Sequence, residues 1–255
     1  MQLTQQQKSV LSKISDFIVS EANIFILRGY AGTGKTTMIQ TIVNEISKSI
    51  SVVLMAPTGR AARVLASKTD HDASTIHRAI YGRAAIRAKK CDDIADLEFK
   101  YVFPVGQSND KIVAIIDEAS MLCSRTIQQE LFQFGTDNLM DDLLTYVRPS
   151  FGGKLIFVGD PAQLPPVGES ESNALRREFF EEKGFKVMEA ELTEVLRQSG
   201  ESVILKNAMQ IRNLLEKDKR NRLVFEEKAN EVGEIGAFPP TRNGLSRSLW
   251  GLKTA

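Results

Sequence analysis

Residues 29–36 read Gly-Tyr-Ala-Gly-Thr-Gly-Lys-Thr, which is the full spacing G-x-x-x-x-G-K-[ST]. The segment stands between an apolar run, "IFIL", and a run of helical periodicity, "MIQTIVNEI". Glycine has no Cβ, so Gly29, Gly32 and Gly34 let the chain curl with its N–H groups turned toward an anion, and Ala31, Thr33 and Thr37 belong to the same cradle. A helix opening on the loop adds the partial positive charge of its N-terminus. Lys35 is placed to reach β- and γ-phosphates, and the Thr36 hydroxyl to ligate Mg²⁺. The pattern predicts a bound ATP with magnesium. A glycine-rich turn that matches by chance is the plain alternative, and a strand before and a helix after the loop disfavour it.

A second acidic site decides whether such a nucleotide is a switch or a fuel. "KIVAIIDEAS" ends a buried strand in Asp117 and Glu118. Asp117 would hold Mg²⁺, and Glu118 would orient and deprotonate an attacking water. An acid pair there can also merely cap a helix from Ser120 onward. "VGDPAQLPPVG" leaves another strand through a proline-stiffened loop that aims Gln163 at a γ-phosphate, or forms only a rigid turn. "APTGRAARVL" ends a strand in Pro57 and Thr58 and opens a helix at Gly59 and Arg60. Its free backbone donors suit a phosphate, or the helix is simply capped by Thr58. Arg60, Arg63, Lys68, Arg78, Arg83, Arg87, Lys89 and Lys90 face only Asp70 and Asp72 over residues 59–90, a stretch that suits a polyanion or a solvated face.

The elements that must hold these groups alternate. The 255 residues are 42% hydrophobic and 25% charged with net charge +1, which describes a globular chain with ample core material. Val10, Leu11, Ile14, Phe17 and Ile18 fall on one face of a first helix, with Thr4 and Gln7 as its capping box. Apolar strands "NIFIL", "SVVLMA", "KIVAIID", "GKLIFVGD" and "FKVMEAEL" are separated by helical runs, including "SRTIQQELFQF" and a late "ESVILKNAMQIRNLLEK". That order predicts an α/β fold, a mostly parallel sheet with helices on both faces. Residues 82–111 break the pattern, and "DLEFKYVFPV" within them alternates like one strand of a small hairpin. Cys91 and Cys123 with His71 and His77 give neither a disulfide framework nor zinc spacing, so a reducing compartment fits. The N-terminus has no signal core and no run reaches a membrane span, so a cytoplasmic address with no membrane partner is expected.

"GYAGTGKT", "APTGRAA", "STIHR", "IIDEAS", "GDPAQLPPV" and "LTEVLRQ" occur in the order seen in superfamily 1 DNA helicases. Over residues 3–198 the chain resembles their RecD-like, Dda-like group of 5′-to-3′ translocases. The resemblance implies a RecA-like P-loop NTPase fold over residues 1–180, with a small inserted β-hairpin domain near 82–111. It implies ATP hydrolysis that drives movement on single-stranded DNA, in company with DNA repair, recombination or replication proteins. Gln7 matches a glutamine that reads adenine, although its capping box explains it equally. Lys35, Thr36, Asp117 and Glu118 match the hydrolytic set, and Gln163 a sensor between γ-phosphate and DNA. Arg197 matches an arginine finger, or is a surface partner of Glu194. Pro57, Thr58, Arg60, Thr75 and His77 match the single-strand path. Phe99, Tyr101 and Phe103 are expected in the hairpin's own core. Beyond Gln198 the motifs of a second RecA-like domain are not matched. Residues 181–235 are therefore expected to begin that domain without completing it, and 236–255 to form a weakly ordered tail. Weak hydrolysis would follow. A non-catalytic nucleotide- and DNA-binding relative and an RNA helicase of the same superfamily stay open.

Overall fold

The computed structural model describes residues 3–89, 98–108 and 111–194. They lie in the first of two compact units of the chain, Met1–Leu196. The elements run in order α1 (Gln5–Val19), β1 (Ile24–Gly29), α2 (Lys35–Ile46), β2 (Ser51–Ala56), α3 (Gly59–Thr69), β3 (Ala73–Thr75) and α4 (Ile76–Ile80). They continue through β4 (Ala85–Lys89), β5 (Glu98–Phe103), β6 (Ile112–Ile116), β7 (Phe132–Phe134), α5 (Leu139–Val147), β8 (Lys154–Gly159), α6 (Arg177–Glu182) and β9 (Val187–Leu192).

Six strands form one sheet in the order β3-β2-β6-β8-β1-β9, with each neighbouring pair parallel. Parallel strands are buried on both faces, and their sequences therefore read as unbroken apolar runs. Alternate residues go to opposite faces. Ile24, Ile26, Ala114, Ile116, Leu155 and Phe157 pack with Ile76, Ile80, Met140, Leu143 and Phe180 of α4, α5 and α6. Phe25, Leu27, Val113, Ile115, Ile156 and Val158 pack with Val10, Ile14, Phe17, Met38, Ile42 and Leu65 of α1, α2 and α3. Each such side chain contributes about 1.5–3 kcal/mol by leaving water, so the two layers lock the strand ends in place. The expected parallel α/β sheet covered on both faces is thus what the chain forms. The capping box of α1 is also present: Gln7 N–H donates to Thr4 Oγ1 at 3.2 Å, and Thr4 N–H to Gln7 Oε1 at 3.1 Å.

Four expectations are corrected. The run "SRTIQQELFQF" is not a helix; Ile127 and Leu131 are exposed, and the run ends in β7. A helix there would leave its apolar stripe without a surface to cover. The extended form instead gives the edge of β5 its partners, with Tyr101 N–H donating to Leu131 O at 2.8 Å and Gly135 N–H to Phe103 O at 2.9 Å. The inserted segment accordingly does not stand alone at 82–111. β4 and β5 pair antiparallel, as a hairpin should, but β7 adds a third strand parallel to β5. Phe99 and Tyr101 are exposed, and among the described side chains of β5 the buried one is Val102. Phe103 is half-buried and stacks on Phe134 at 4.5 Å between centroids. Finally, the sheet does not close at residue 180. β9 runs beside β1 from Ile24↔Val187 to Gly29↔Leu192, and Arg28 of β1 bonds Glu189 of β9 at 2.7 Å. Val187, Ala190 and Leu192 bury their side chains there. The late helix, Arg197 and the rest of the C-terminal segment lie outside the described residues, as does Cys91.

Candidate nucleotide and nucleic-acid site

In a parallel sheet every strand delivers its following loop to the same edge, and ligands of open α/β sheets gather there. β1 delivers the glycine loop. Gly32 and Gly34 have φ of 84° and 85°, a left-handed conformation that favours glycine. Gly34 is the N-cap of α2, and no side chain caps the start of the helix. At Gly29 a Cβ would come within 3.0 Å of Thr33 Oγ1 and 3.1 Å of Lys35 Cγ, so a larger residue would press on the side chains that close the cradle. Thr33 Oγ1 donates to Tyr30 O at 2.8 Å and closes the turn. Lys35 Nζ donates to Gly29 O at 2.7 Å and Tyr30 O at 3.1 Å, which holds the ammonium over the loop. Thr36 and Thr37 are half-buried in the first turn of α2, and Ala31 is exposed at the rim.

β6 delivers the acids. Asp117 is buried, and burial pushes its carboxyl up to about 6, with Glu118 adding to the rise. The Glu118 N–H, which donates to Asp117 Oδ1 at 3.0 Å, and the charge of Lys35 pull the other way. Lys35 and Asp117 are 82 positions apart in sequence, and the strands that deliver them flank β8. Glu118 sits in the left-handed region at φ 52° and ψ 37°. Its Oε2 is buried and has no hydrogen-bond partner among the described residues. A buried oxygen left bare is costly unless a ligand serves it.

β8, the neighbour of β6, delivers Gln163. The Asp160 carboxylate accepts Ala162 N–H at 2.9 Å, and Gln163 N–H donates to Asp160 O at 3.1 Å, which folds the loop back over the edge. Ser120, 1% exposed, donates from Oγ to Gln163 Oε1 at 3.0 Å. Ser120 and Asp160 were not among the residues singled out from the sequence. Asp160 carries the same signal as Asp117, an acid straight after an apolar strand. Ser120 carries none, because its partner is 43 residues away.

Gln7 is 2% exposed. Its Oε1 serves the capping box, while its Nε2 is buried and has no partner among the described residues. The cap and a purine-reading role therefore use different ends of one amide and do not compete. No described hydrogen bond joins Gln7 to the glycine loop.

β2 and β3 deliver the remaining candidates. Thr58 caps α3 by accepting Ala61 N–H at 3.2 Å, and Thr75 caps α4 by accepting Arg78 N–H at 3.2 Å. Ala56 pairs with Thr75, so Pro57, Thr58 and Thr75 cluster at adjoining strand ends, with Arg60 exposed on α3. His77 presents an exposed flank on α4, its ring 5.5 Å from Tyr81 and 5.6 Å from Phe134. Burial against those rings lowers its proton affinity, and Asp142 offsets part of the effect. The edge thus carries two neighbouring groups: phosphate-type features after β1, β6 and β8, and nucleic-acid candidates after β2 and β3. Among the described residues no group of three or more His, Cys, Asp or Glu is arranged to hold a metal ion.

The sequence profile of the AAA domain family matches residues 2–232. The chain is 32% identical over 167 residues to the ATP-dependent RecD2 DNA helicase of Deinococcus radiodurans, covering 65% of this chain and 18% of the relative. It is 29% identical over 213 residues to the ATP-dependent DNA helicase dda of Enterobacteria phage T4, covering 83% of this chain and 43% of that one. The crystal structure of the Pif1 helicase from Candida albicans shares the fold, with a TM-score of 0.52 at 21% identity, over 83% of this chain and 44% of that chain. The chain spans less than half the length of each of these three proteins.

Proposed function

The chain belongs to the AAA domain family, and from that premise we propose that it carries the RecA-like motor domain of superfamily 1 and hydrolyses ATP to move on single-stranded DNA. The supporting observation is the delivery to one sheet edge of the glycine loop with Lys35 after β1 and, after β6, of Asp117 and a Glu118 oxygen that is buried and unpartnered. In this proposal the N–H groups of the glycine loop and of the first turn of α2 hold the phosphates. Lys35 exchanges the carbonyls of Gly29 and Tyr30 for β- and γ-oxygens. Thr36 and Asp117 supply hard oxygen ligands for Mg²⁺, which neutralises phosphate charge when bound. Two protein oxygens, with no acid cluster among the described residues, suit a cation that takes its other ligands from the nucleotide and water. Glu118 accepts the proton of the water whose oxygen attacks the γ-phosphorus, as the bond to the β-phosphate oxygen breaks and ADP leaves. Gln163 faces the γ-phosphate, and Gln7 offers its free amide donor to adenine. Arg197 remains the candidate finger, outside the described residues.

Pro57, Thr58, Arg60, Thr75 and His77 form the proposed track for the strand. Contacts to phosphates fit any sequence, as a translocase requires. A repair or recombination role in the cytoplasm, beside other proteins of DNA metabolism, belongs to the same proposal and rests on the RecD-like kinship. A second RecA-like segment is taken to begin beyond Leu192. The test is phosphate release with and without an oligo-dT, set against an RNA oligomer. Lys35→Ala and Glu118→Gln are each expected to abolish turnover; unchanged turnover in both removes the enzyme proposal, and preference for RNA redirects it.

A further inference from the structure

Asp142, in the first turn of α5, is completely buried, yet nothing in the hydrolytic edge uses it. Its Oδ2 accepts the Tyr81 hydroxyl at 2.7 Å. Its Oδ1 accepts the Thr136 hydroxyl at 2.8 Å and the Thr136 N–H at 3.0 Å. The fit is close: at Gly135, with φ 49°, an added Cβ would lie 2.3 Å from Asp142 Oδ2. A carboxylate is kept in a core only when its lone pairs are filled, and here the donors come from two separate elements. Tyr81 ends α4, its N–H donating to His77 O at 3.2 Å. Thr136 lies in the turn that follows β7 and its Phe134.

We propose that Asp142 is a positioning residue for the nucleic-acid edge: by clamping Tyr81 and Thr136 together it fixes two rings in mutual contact, Tyr81 and Phe134, against both of which the His77 imidazole packs. The proposal deepens the functional reading above and rests on it. Each contact of the chain is short. The Tyr81 ring lies 5.2 Å from Phe134 and 5.5 Å from His77, and His77 meets Phe134 edge-on at 5.6 Å and 87°. Phe134 is in turn stacked on Phe103 of the inserted sheet. The same carboxylate thus ties the three-stranded sheet to the helix that bears His77. Without the clamp, the imidazole keeps its place on α4 but loses the two rings that hold its plane. A strand bound along Thr75 and His77 would then meet a freely turning side chain. Ordering that side chain again on binding costs affinity for DNA and leaves the glycine loop untouched.

Tyr81→Phe removes only the hydroxyl and keeps the ring. The full chain, as wild type, Tyr81→Phe, Asp142→Asn and His77→Ala, is titrated into a labelled oligo-dT and followed by anisotropy. The same samples are titrated with a fluorescent ATP analogue and melted. Loss of the Tyr81 hydroxyl's bond, felt only in part at the binding edge, should weaken oligo-dT affinity about fivefold to tenfold in Tyr81→Phe, with affinity for the ATP analogue unchanged; Asp142→Asn should follow. If His77→Ala weakens oligo-dT binding and Tyr81→Phe does not, the inference is overturned while the functional reading stands. Equal losses for both ligands also overturn it, because they mark general destabilisation. A wild-type chain that does not hold oligo-dT overturns the functional reading and this inference with it. If Asp142→Asn fails to fold, Tyr81→Phe alone decides.

Discussion

Glu118 is held in a conformation that non-glycine residues avoid, and it carries a buried oxygen without a partner. Both features cost stability, and the two costs can be separated by substitution. A side chain in the left-handed region costs about 1–2 kcal/mol. A buried unsatisfied oxygen costs about 1–3 kcal/mol. Glu118→Ala removes the carboxylate with its bare oxygen, loses the packing of one methylene worth at most about 0.8 kcal/mol, and keeps the backbone strain. Its net change is about 0 to +3 kcal/mol. Glu118→Gly also relieves the strain, less about 0.5–1 kcal/mol for the greater freedom of glycine in the unfolded chain. Glycine should therefore exceed alanine by about 0.5–1 kcal/mol, the reverse of their usual order, or about 1–4 °C in melting temperature for a domain of this size. Turnover should fall by about 10²–10⁴ in both, as expected for loss of a general base. Thermal melts and phosphate-release assays on the same preparations measure both quantities. Alanine at or above glycine in stability would refute the strain. A variant that keeps a tenth of wild-type turnover would refute Glu118 as the base.

Two further outcomes follow from the same edge. Ser120→Ala frees the Gln163 amide at the loss of one hydrogen bond, about 1 kcal/mol, so turnover should drop about fivefold with nucleotide affinity unchanged; an unaltered kcat would show that Gln163 needs no support from Ser120. Asp117 has an ordinary value of 3.8 and a folded value of about 6, so the folded chain holds this proton more tightly than the unfolded chain. Its contribution is fully present below about pH 4 and lost as pH rises through 6, an effect of at most about 3 kcal/mol. Asp117→Asn should therefore be more stable than wild type at pH 7.5 in chelator and nearly equal at pH 4, and Mg²⁺ with nucleotide should favour wild type again. Equal denaturant midpoints at pH 7.5 would contradict the burial of a charged Asp117.

What the sequence disclosed follows from the range of the forces involved. The glycine loop, the acids after "KIVAII" and the cap of α1 are local, because a spacing of a few residues fixes their geometry. Gly29, Lys35, Asp117 and Glu118 could be placed on one edge because parallel strands leave no other arrangement. Residues 124–134 misled because apolar positions at helical spacing say nothing about whether a surface exists to receive them. β5 competes for the same backbone, and Ile127 and Leu131 stay in solvent. β9 was assigned across a domain boundary for a similar reason. Its place beside β1 depends on the Arg28–Glu189 pair and on side chains 161 residues apart. The Ser120–Gln163 bond and the Asp142 clamp are of this kind too, and no local pattern announces them.

Strand order also indicates how the two halves of the edge communicate. Asp117 N–H donates to Met55 O at 3.0 Å, so the first acid of the nucleotide site hangs from the last turn of backbone before Pro57. On its other side, Ser120 joins the same segment to Gln163 after β8. A shift of the 117–120 segment would therefore pull on the loops after β2 and β8 together. β2 in turn carries β3 through Ala56↔Thr75, where the helix bearing His77 begins. Events at the γ-phosphate and at the proposed DNA track are thus separated by two strand widths of hydrogen-bonded backbone. Such a short, stiff path needs no large rearrangement within the domain, and the single Ser120–Gln163 bond extends it on the other side to the loop after β8.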